Sequence, residues 1–213
     1  MPQLALWSSS GERIGEIEAS PEVFGAALNR DLLHQAVMVV DARRQRKAGR
    51  AKRRGEVAVT GAKMYRQKGL GRARHGDQSP PHFKGGGVAH PPRGDRRVLE
   101  MPRRARKAAL HSALSAQAKR GRVLVVEELA LPEPRTKDML ALLAALGVDG
   151  RVLILASADE ARSDSNYLSC RNLPSVVLRE APHINPREVL WADYLILTQA
   201  GLQVLTGGGA ADA

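Results

Sequence analysis

The chain has 213 residues, enough for one ordinary domain with an appendage or for two small ones, and its formal charge of +11 points to a polyanionic partner. Apolar residues make up 43% of it, so a real core is available, but no apolar run approaches the ~20 residues of a membrane span, and no secretory signal is visible at MPQLALWSSSGERIG. Cys170 is the only cysteine, which excludes an intrachain disulfide framework and fits a reducing cytosol.

In chain order, residues 3–7 and 12–18 read as two short strands joined by the polar turn SSSGE, with Gly11 supplying the turn. Ser20-Pro21-Glu22 reads as a helix start: Ser20 as cap, Pro21 at the first helical position, Glu22 facing the helix N-terminus. Phe24, Leu28, Leu32, Leu33, Ala36, Val37 and Val40 continue an apolar stripe, broken near Asn29 into two helices, and the pattern stops at Asp41. After Pro102 it resumes as a helix to about residue 120, with Gly121 as its stop and a thin alanine face. Then VLVVEEL, RVLILA, SVVLRE and YLILT read as strands buried on both faces, separated by helices over 136–146, 163–173 and 186–192 and followed by one over 199–205. Asn185 and Thr198 stand at the starts of the last two of these helices as caps. Strand–helix repetition of this kind predicts an α/β fold: a single open, mostly parallel sheet with packed helices, built from 1–41 and 102–213 and interrupted by a long extended basic loop at 42–101.

That interruption differs in kind from its flanks. Between 43 and 107 there are 21 Lys and Arg against 4 Asp and Glu, whereas the rest of the chain is net −6. Over 42–97 the only aliphatic or Met side chains larger than Ala are Val57, Val59, Met64, Leu70 and Val88, and 14 residues are Gly or Pro. Such a segment cannot bury enough apolar surface to offset the entropy of ordering it. It is expected to be disordered alone and ordered by a polyanion, with nucleic acid as the natural partner because dense Lys and Arg release counterions from phosphates.

Other chemistry finds no support. Gly69-Leu70-Gly71 lacks the third glycine of a dinucleotide loop, and no P-loop motif occurs. His75, His82 and His90 are spaced too widely for a zinc pair, so no metal and no cofactor is expected. Glu127, Glu128, Asp159 and Asp193 lie near strand ends without a partnering nucleophile or base, and Cys170 reads as part of a buried helix face, so no enzyme is expected. In KMYRQKGLGRARHGDQSPPHFKGGG, by contrast, charge is interleaved with Tyr65, Phe83, Gln67 and glycine pairs. Aromatic and guanidinium planes stack on unpaired bases, and glycine permits close approach, which suits a folded RNA better than regular DNA grooves. The contacts so offered are Arg43, Arg44, Arg46, Lys47, Arg50, Lys52, Arg53 and Arg54 on the entering arm. The middle adds Lys63, Tyr65, Arg66, Gln67, Lys68, Gly69, Gly71, Arg72, Arg74 and His75. Phe83, Lys84, Arg93, Arg96 and Arg97 stand on the returning arm, and Arg103, Arg104, Arg106 and Lys107 open the following helix, where a bound phosphate would relieve cations set against the helix dipole.

The run Arg66-Gln67-Lys68-Gly69-Leu70-Gly71-Arg72-Ala73-Arg74 closely resembles the signature of the large-subunit ribosomal protein L four family, bacterial type. Arg54-Gly55-Glu56-Val57, Ser79-Pro80-Pro81, Gly85-Gly86-Gly87-Val88 and the helix from Arg104 to Ser115 are similar to the family in order and spacing, while Lys63-Met64-Tyr65 departs from its usual Lys-Pro-Trp. The resemblance implies a structural constituent of the large subunit that binds 23S-type rRNA early in assembly, beside neighbouring ribosomal proteins, in the cytoplasm. It implies that the loop penetrates the rRNA and lines the nascent-peptide exit tunnel, where the passing peptide becomes a partner, and that some members repress their own operon. By position, the tip would be Lys63, Arg66, Gln67, Lys68, Gly69, Leu70, Gly71 and Arg72. With about 28 residues per arm, each arm could reach on the order of 90 Å if fully extended. The rivals are a non-specific nucleic-acid-binding protein, for which no dimerisation or groove-entering pattern appears, and an RNA-modifying enzyme docking through the loop. No membrane contact and no homo-oligomer are expected.

Overall fold

In the computed structural model, which describes residues 2–45, 49–94 and 99–207, the chain divides into two units: Met1–Asp41 with Leu99–Ala213, and Ala42–Val98. The first is an α/β unit around a six-stranded sheet. Its strands are β1 (Gln3–Trp7), β2 (Arg13–Glu18), β3 (Val123–Val126), β4 (Val152–Ala156), β5 (Val176–Glu180) and β6 (Tyr194–Thr198), in the spatial order β2-β1-β3-β6-β4-β5. β1 and β2 form an antiparallel hairpin, and every other pairing is parallel. The fold is thus the mostly parallel α/β sheet that the strand–helix alternation predicts.

Two apolar layers sandwich the sheet, and alternate residues of each central strand supply them. Val123, Val125, Leu153, Leu155, Leu195 and Leu197 face one layer, whereas Val126, Val152, Ile154 and Ile196 face the other. Period-two alternation with both faces apolar is what makes these strands read as continuous hydrophobic runs. The first layer is covered by α1 (Pro21–Phe24), α2 (Arg30–Arg44), α3 (Arg103–Lys119), α7 (Pro186–Trp191) and α8 (Gln199–Thr206). The second is covered by α4 (Thr136–Ala145) and α6 (Asp164–Arg171), where Cys170 is buried and its thiol pushed up to about 11 by desolvation. A short helix, α5 (Ala158–Arg162), which the sequence reading passes over, precedes α6.

Polar side chains fix the helix ends. Asn29 Oδ1 accepts from the Leu32 amide at 3.0 Å, starting α2 and explaining the break in the apolar stripe. The backbone across that break is satisfied by α3, whose Ser115 Oγ accepts from Ala26 N at 2.9 Å and whose Ser112 Oγ accepts from Asn29 N at 3.0 Å. Thr198 caps α8 as its position suggests, accepting from Gly201 N at 3.0 Å. Ser20 and Asn185 do not: neither side chain bonds the helix it precedes, and α1 starts on the fixed backbone of Pro21 instead. The full capping box is Ser157 with Glu160, and Thr198 Oγ1 donates to the same Glu160 carboxylate at 2.7 Å, tying the ends of β4 and β6 together. α2 also continues past Asp41 to Arg44, because its hydrogen-bonded ladder outlasts its apolar stripe.

Candidate nucleic-acid interface

The basic unit, taken by itself, has no apolar core among its described residues. Among the described residues of 42–94 only Ser79 and Gly87 are buried, and Met64, Leu70 and Val88 are exposed. Its path is set by backbone bonds. The two arms run antiparallel: Arg50 and Arg93 form an isolated bridge, Ala51 N donates to Pro92 O at 3.1 Å, and Val88 N donates to Lys52 O at 2.9 Å. Gly87 sits where they touch. A Cβ there would lie 2.2 Å from Arg54 N, so only glycine permits the approach. The sequence reading expects a segment without structure of its own. The described residues instead follow a hydrogen-bonded course, because backbone amides and polar side chains supply partners where apolar material is lacking.

Beyond the arms, residues 63–76 close on themselves. Met64 N donates to Gly76 O at 2.8 Å, Tyr65 OH donates to Ala73 O, and Lys63 Nζ donates to Gln67 Oε1 at 2.8 Å and His75 O at 3.2 Å. Arg66 reaches back to Gly69 O at 3.1 Å across a left-handed turn in which Gly69 has φ +86°. Tyr65, His75, His82 and Phe83 then cluster. His75 lies edge-on to Phe83 at 5.2 Å and to Tyr65 at 6.1 Å, and the His82 and Phe83 centroids are 4.0 Å apart. The rings of Tyr65, His75 and Phe83 that the sequence offers to RNA bases are thus half-buried and packed together. His82 was not among the candidate contacts. Its cue was adjacency to Phe83 after the Pro80-Pro81 turn. Among the described residues no three His, Cys, Asp or Glu come together as a metal set.

The two described acids of the unit are spent on its own framework. Glu56 accepts from Arg53 N at 3.1 Å and pairs with Arg50 at 2.9 Å, and these bonds hold its carboxyl below the usual carboxylate range. Asp77 pairs with Arg54 at 3.5 Å and accepts from Ser79 Oγ, a brace foreshadowed only by the Asp-x-Ser spacing. Lys52, Lys68, Arg72, Arg74, Lys84 and Arg93 remain exposed, with no ion pair among the described residues. Gly69, Leu70 and Gly71 are exposed at the far turn, and Arg43 and Arg44 are exposed at the end of α2. In the α/β unit Arg103, Arg104, Arg106 and Lys107 are exposed on the first turns of α3. The candidates Arg46, Lys47, Arg96 and Arg97 lie outside the described residues.

Residues 42–98 hold 17 Lys and Arg against 3 Asp and Glu, while the other unit has 16 against 19. An α/β unit of nearly balanced charge, joined to a polycation whose described acids are already paired, has the make-up of a protein that meets a polyanion. Comparison with known proteins sharpens this class. Residues 17–208 match the model of the ribosomal protein L4/L1 family. The chain is 39% identical over 199 residues to the large ribosomal subunit protein uL4 of Symbiobacterium thermophilum, spanning 93% of this chain and 95% of that protein. It is 36% identical over 206 residues to the protein of the same name in Natranaerobius thermophilus, spanning 96% and 98%. The Pelotomaculum thermopropionicum protein of that name is again 39% identical over 199 residues. The chain therefore belongs to the ribosomal protein L4/L1 family, whose members are structural ribosomal proteins and not enzymes.

Proposed function

We propose that this protein is a structural constituent of the large ribosomal subunit, held in the cytoplasmic ribosome by 23S-type rRNA and by neighbouring ribosomal proteins. The observation that carries the reading is the distribution of charge in 42–98: among the described residues, the acids Glu56 and Asp77 brace the arms, and the cations are exposed on a backbone with no apolar core behind it. A surface of that kind is complementary to phosphate on several sides at once, as RNA surrounding an inserted loop would present it. The arms would follow the RNA inward early in assembly. The turn at 63–75 would meet the nascent-peptide exit tunnel, with Lys63, Arg66, Gln67, Lys68, Gly69, Leu70, Gly71 and Arg72 nearest the passage. Repression of its own operon would be a second use of the same RNA-binding surface.

The closed form of that turn supports a specific role for Lys63, whose ammonium bridges Gln67 and the His75 carbonyl. Lys63→Glu removes both bonds and sets a carboxylate against a carbonyl oxygen, at a cost of about 1–3 kcal/mol locally. The many arm cations should still carry the variant into large subunits. Two measurements test the proposal. A tagged wild-type chain should co-sediment with the large subunit through a salt-washed gradient; migration free of it, or with unrelated nucleic acid, would favour a non-specific binder. Purified Lys63→Glu ribosomes should then show altered chemical reactivity of tunnel RNA. Reactivity identical to wild type in a fully incorporated variant would remove the turn from the tunnel.

A further inference from the structure

Several cations of the α/β unit share one edge of its sheet. In a parallel sheet covered by helices, strand N-termini and helix C-termini share one edge. On that edge stand Lys119 and Arg120 at the end of α3, Arg122 just before β3, and Arg151 just before β4. Leu195 N donates to Arg122 O at 2.9 Å and Tyr194 N to Arg151 O at 3.1 Å, so Arg122 and Arg151 flank the start of β6. With strands ~4.8 Å apart, their backbones are about 10 Å from one another. Each guanidinium lies over a ring of the same edge. Arg122 is 6.0 Å from the Tyr194 centroid, and Arg151 is 5.5 Å from that of Trp191. Arg151 is also held by the Asp193 carboxylate at 3.1 Å. Arg122 lies near enough to help depress that carboxyl, yet takes no ion pair; Lys119 and Arg120 take none either among the described residues, and all three are exposed.

Cations at a helix C-terminus are expected from the helix dipole, and that accounts for Lys119 and Arg120. It does not account for Arg122 and Arg151, which follow helix ends in the chain but are seated on half-buried aromatic rings at the strand starts. Arg122, with its planar face over Tyr194 and no ion pair among the described residues, keeps its N–H edge available to pair with a phosphate, whereas the N–H fork of Arg151 is taken up by Asp193. The opposite edge of the sheet, after the strands, carries Glu127, Glu128, Asp159, Glu160 and Glu180, the last paired with Arg162, whereas the acids Asp149 and Asp193 stand on the edge with Arg122 and Arg151 and only partly offset its cations. α3 separates the two basic groups of this unit. Arg103–Lys107 open it, Lys119–Arg122 close it, and 17 residues at 1.5 Å each place them about 25 Å apart.

We infer that this edge, with Lys119, Arg120 and Arg122 as its phosphate contacts and the Arg151–Asp193 pair and the rings of Trp191 and Tyr194 as its floor, is a second RNA-binding surface, which grips phosphates independently of the basic unit. The inference rests on the reading that the partner is RNA. The test uses the full-length protein and an in vitro transcript of large-subunit rRNA. Arginine side chains are labelled with phenylglyoxal, with and without RNA, and located by mass spectrometry. Arg120 and Arg122 are expected to be protected severalfold by RNA alone, together with Arg66 and Arg72. Protection of Arg66 and Arg72 with Arg120 and Arg122 labelled as in free protein overturns this inference and leaves the loop reading standing. Protection of none overturns both. Protection of Arg120 and Arg122 only in intact subunits assigns the edge to a protein neighbour and also overturns it. As an independent check, Arg120→Gln with Arg122→Gln should lower the slope of log affinity against log salt by about two units, at unchanged Tm. An unchanged slope would refute the contact.

Discussion

The two units of this chain solve the problem of specifying a backbone in opposite ways. In the α/β unit, order comes from apolar burial: Val125, Leu153, Leu155, Leu197 and Met139 are fully buried, and the strands alternate between two layers. Among the described residues of the basic unit nothing large and apolar is buried, and their course is set by arm-to-arm amide bonds, the Glu56 and Asp77 braces and an aromatic cluster. Burial gives cooperativity that survives in water, whereas exposed hydrogen bonds and ion pairs give direction with little net stability. The difference suits the proposed function: a body that folds before meeting RNA would need a core, and a segment inserted into RNA would need outward charge.

The widest separation between the units should appear in proteolysis of the RNA-free protein. Trypsin should cut within 42–98 far faster than elsewhere and leave two fragments that remain associated through the α/β core, since β1 pairs with β3 across the insertion. A middle segment as resistant as the flanks would erase the contrast. Next in size is a core truncation. Leu155→Ala, at a fully buried position, should cost about 2–5 kcal/mol by denaturant melting while leaving the salt slope of RNA binding unchanged. Gly87→Val should do the reverse, forcing the arms apart at the Arg54 backbone and weakening RNA binding while the Tm stays near wild type.

Smaller effects sharpen the comparison within the basic unit. Arg50→Gln should lower the salt slope by about one unit without changing which RNA is chosen, if Arg50 reaches a phosphate; an unchanged slope would confine it to its Glu56 pair. The smallest effect concerns pH. Glu56 titrates below its ordinary value in the folded chain because the Arg53 amide and the Arg50 guanidinium hold its charged form. Its contribution is therefore complete above the ordinary carboxylate pKa and is lost as pH falls through the depressed one. Carboxyl titration followed by NMR should show the lowered midpoint in wild type, and Arg50→Gln should move it back upward.

Much of this architecture was legible in the chain. The four runs VLVV, VLILA, VVLRE and YLILT read as strands buried on both faces; all four are strands, but VVLRE is the edge strand β5 and is only partly buried, with Arg179 exposed. Pro102, Gly121 and Thr198 marked helix boundaries that the structure keeps. These signals are local: periodicity, proline geometry and a hydroxyl within reach of the next turn. The charge of 42–98 was equally plain, because composition needs no coordinates. What only tertiary structure decided is which groups meet. Ser112 and Ser115 satisfy the chain break at 25–29 from more than 80 residues away, and Glu160 joins two strands through Thr198. Tyr65 and Phe83 turn toward His75 and His82 rather than standing free. Arg122 and Arg151, 29 positions apart in sequence, become neighbours across β6. A sequence states which residues can bond or stack, but the strand order and the arm pairing bring the partners within reach, since both effects act over a few ångströms and no local pattern encodes that distance.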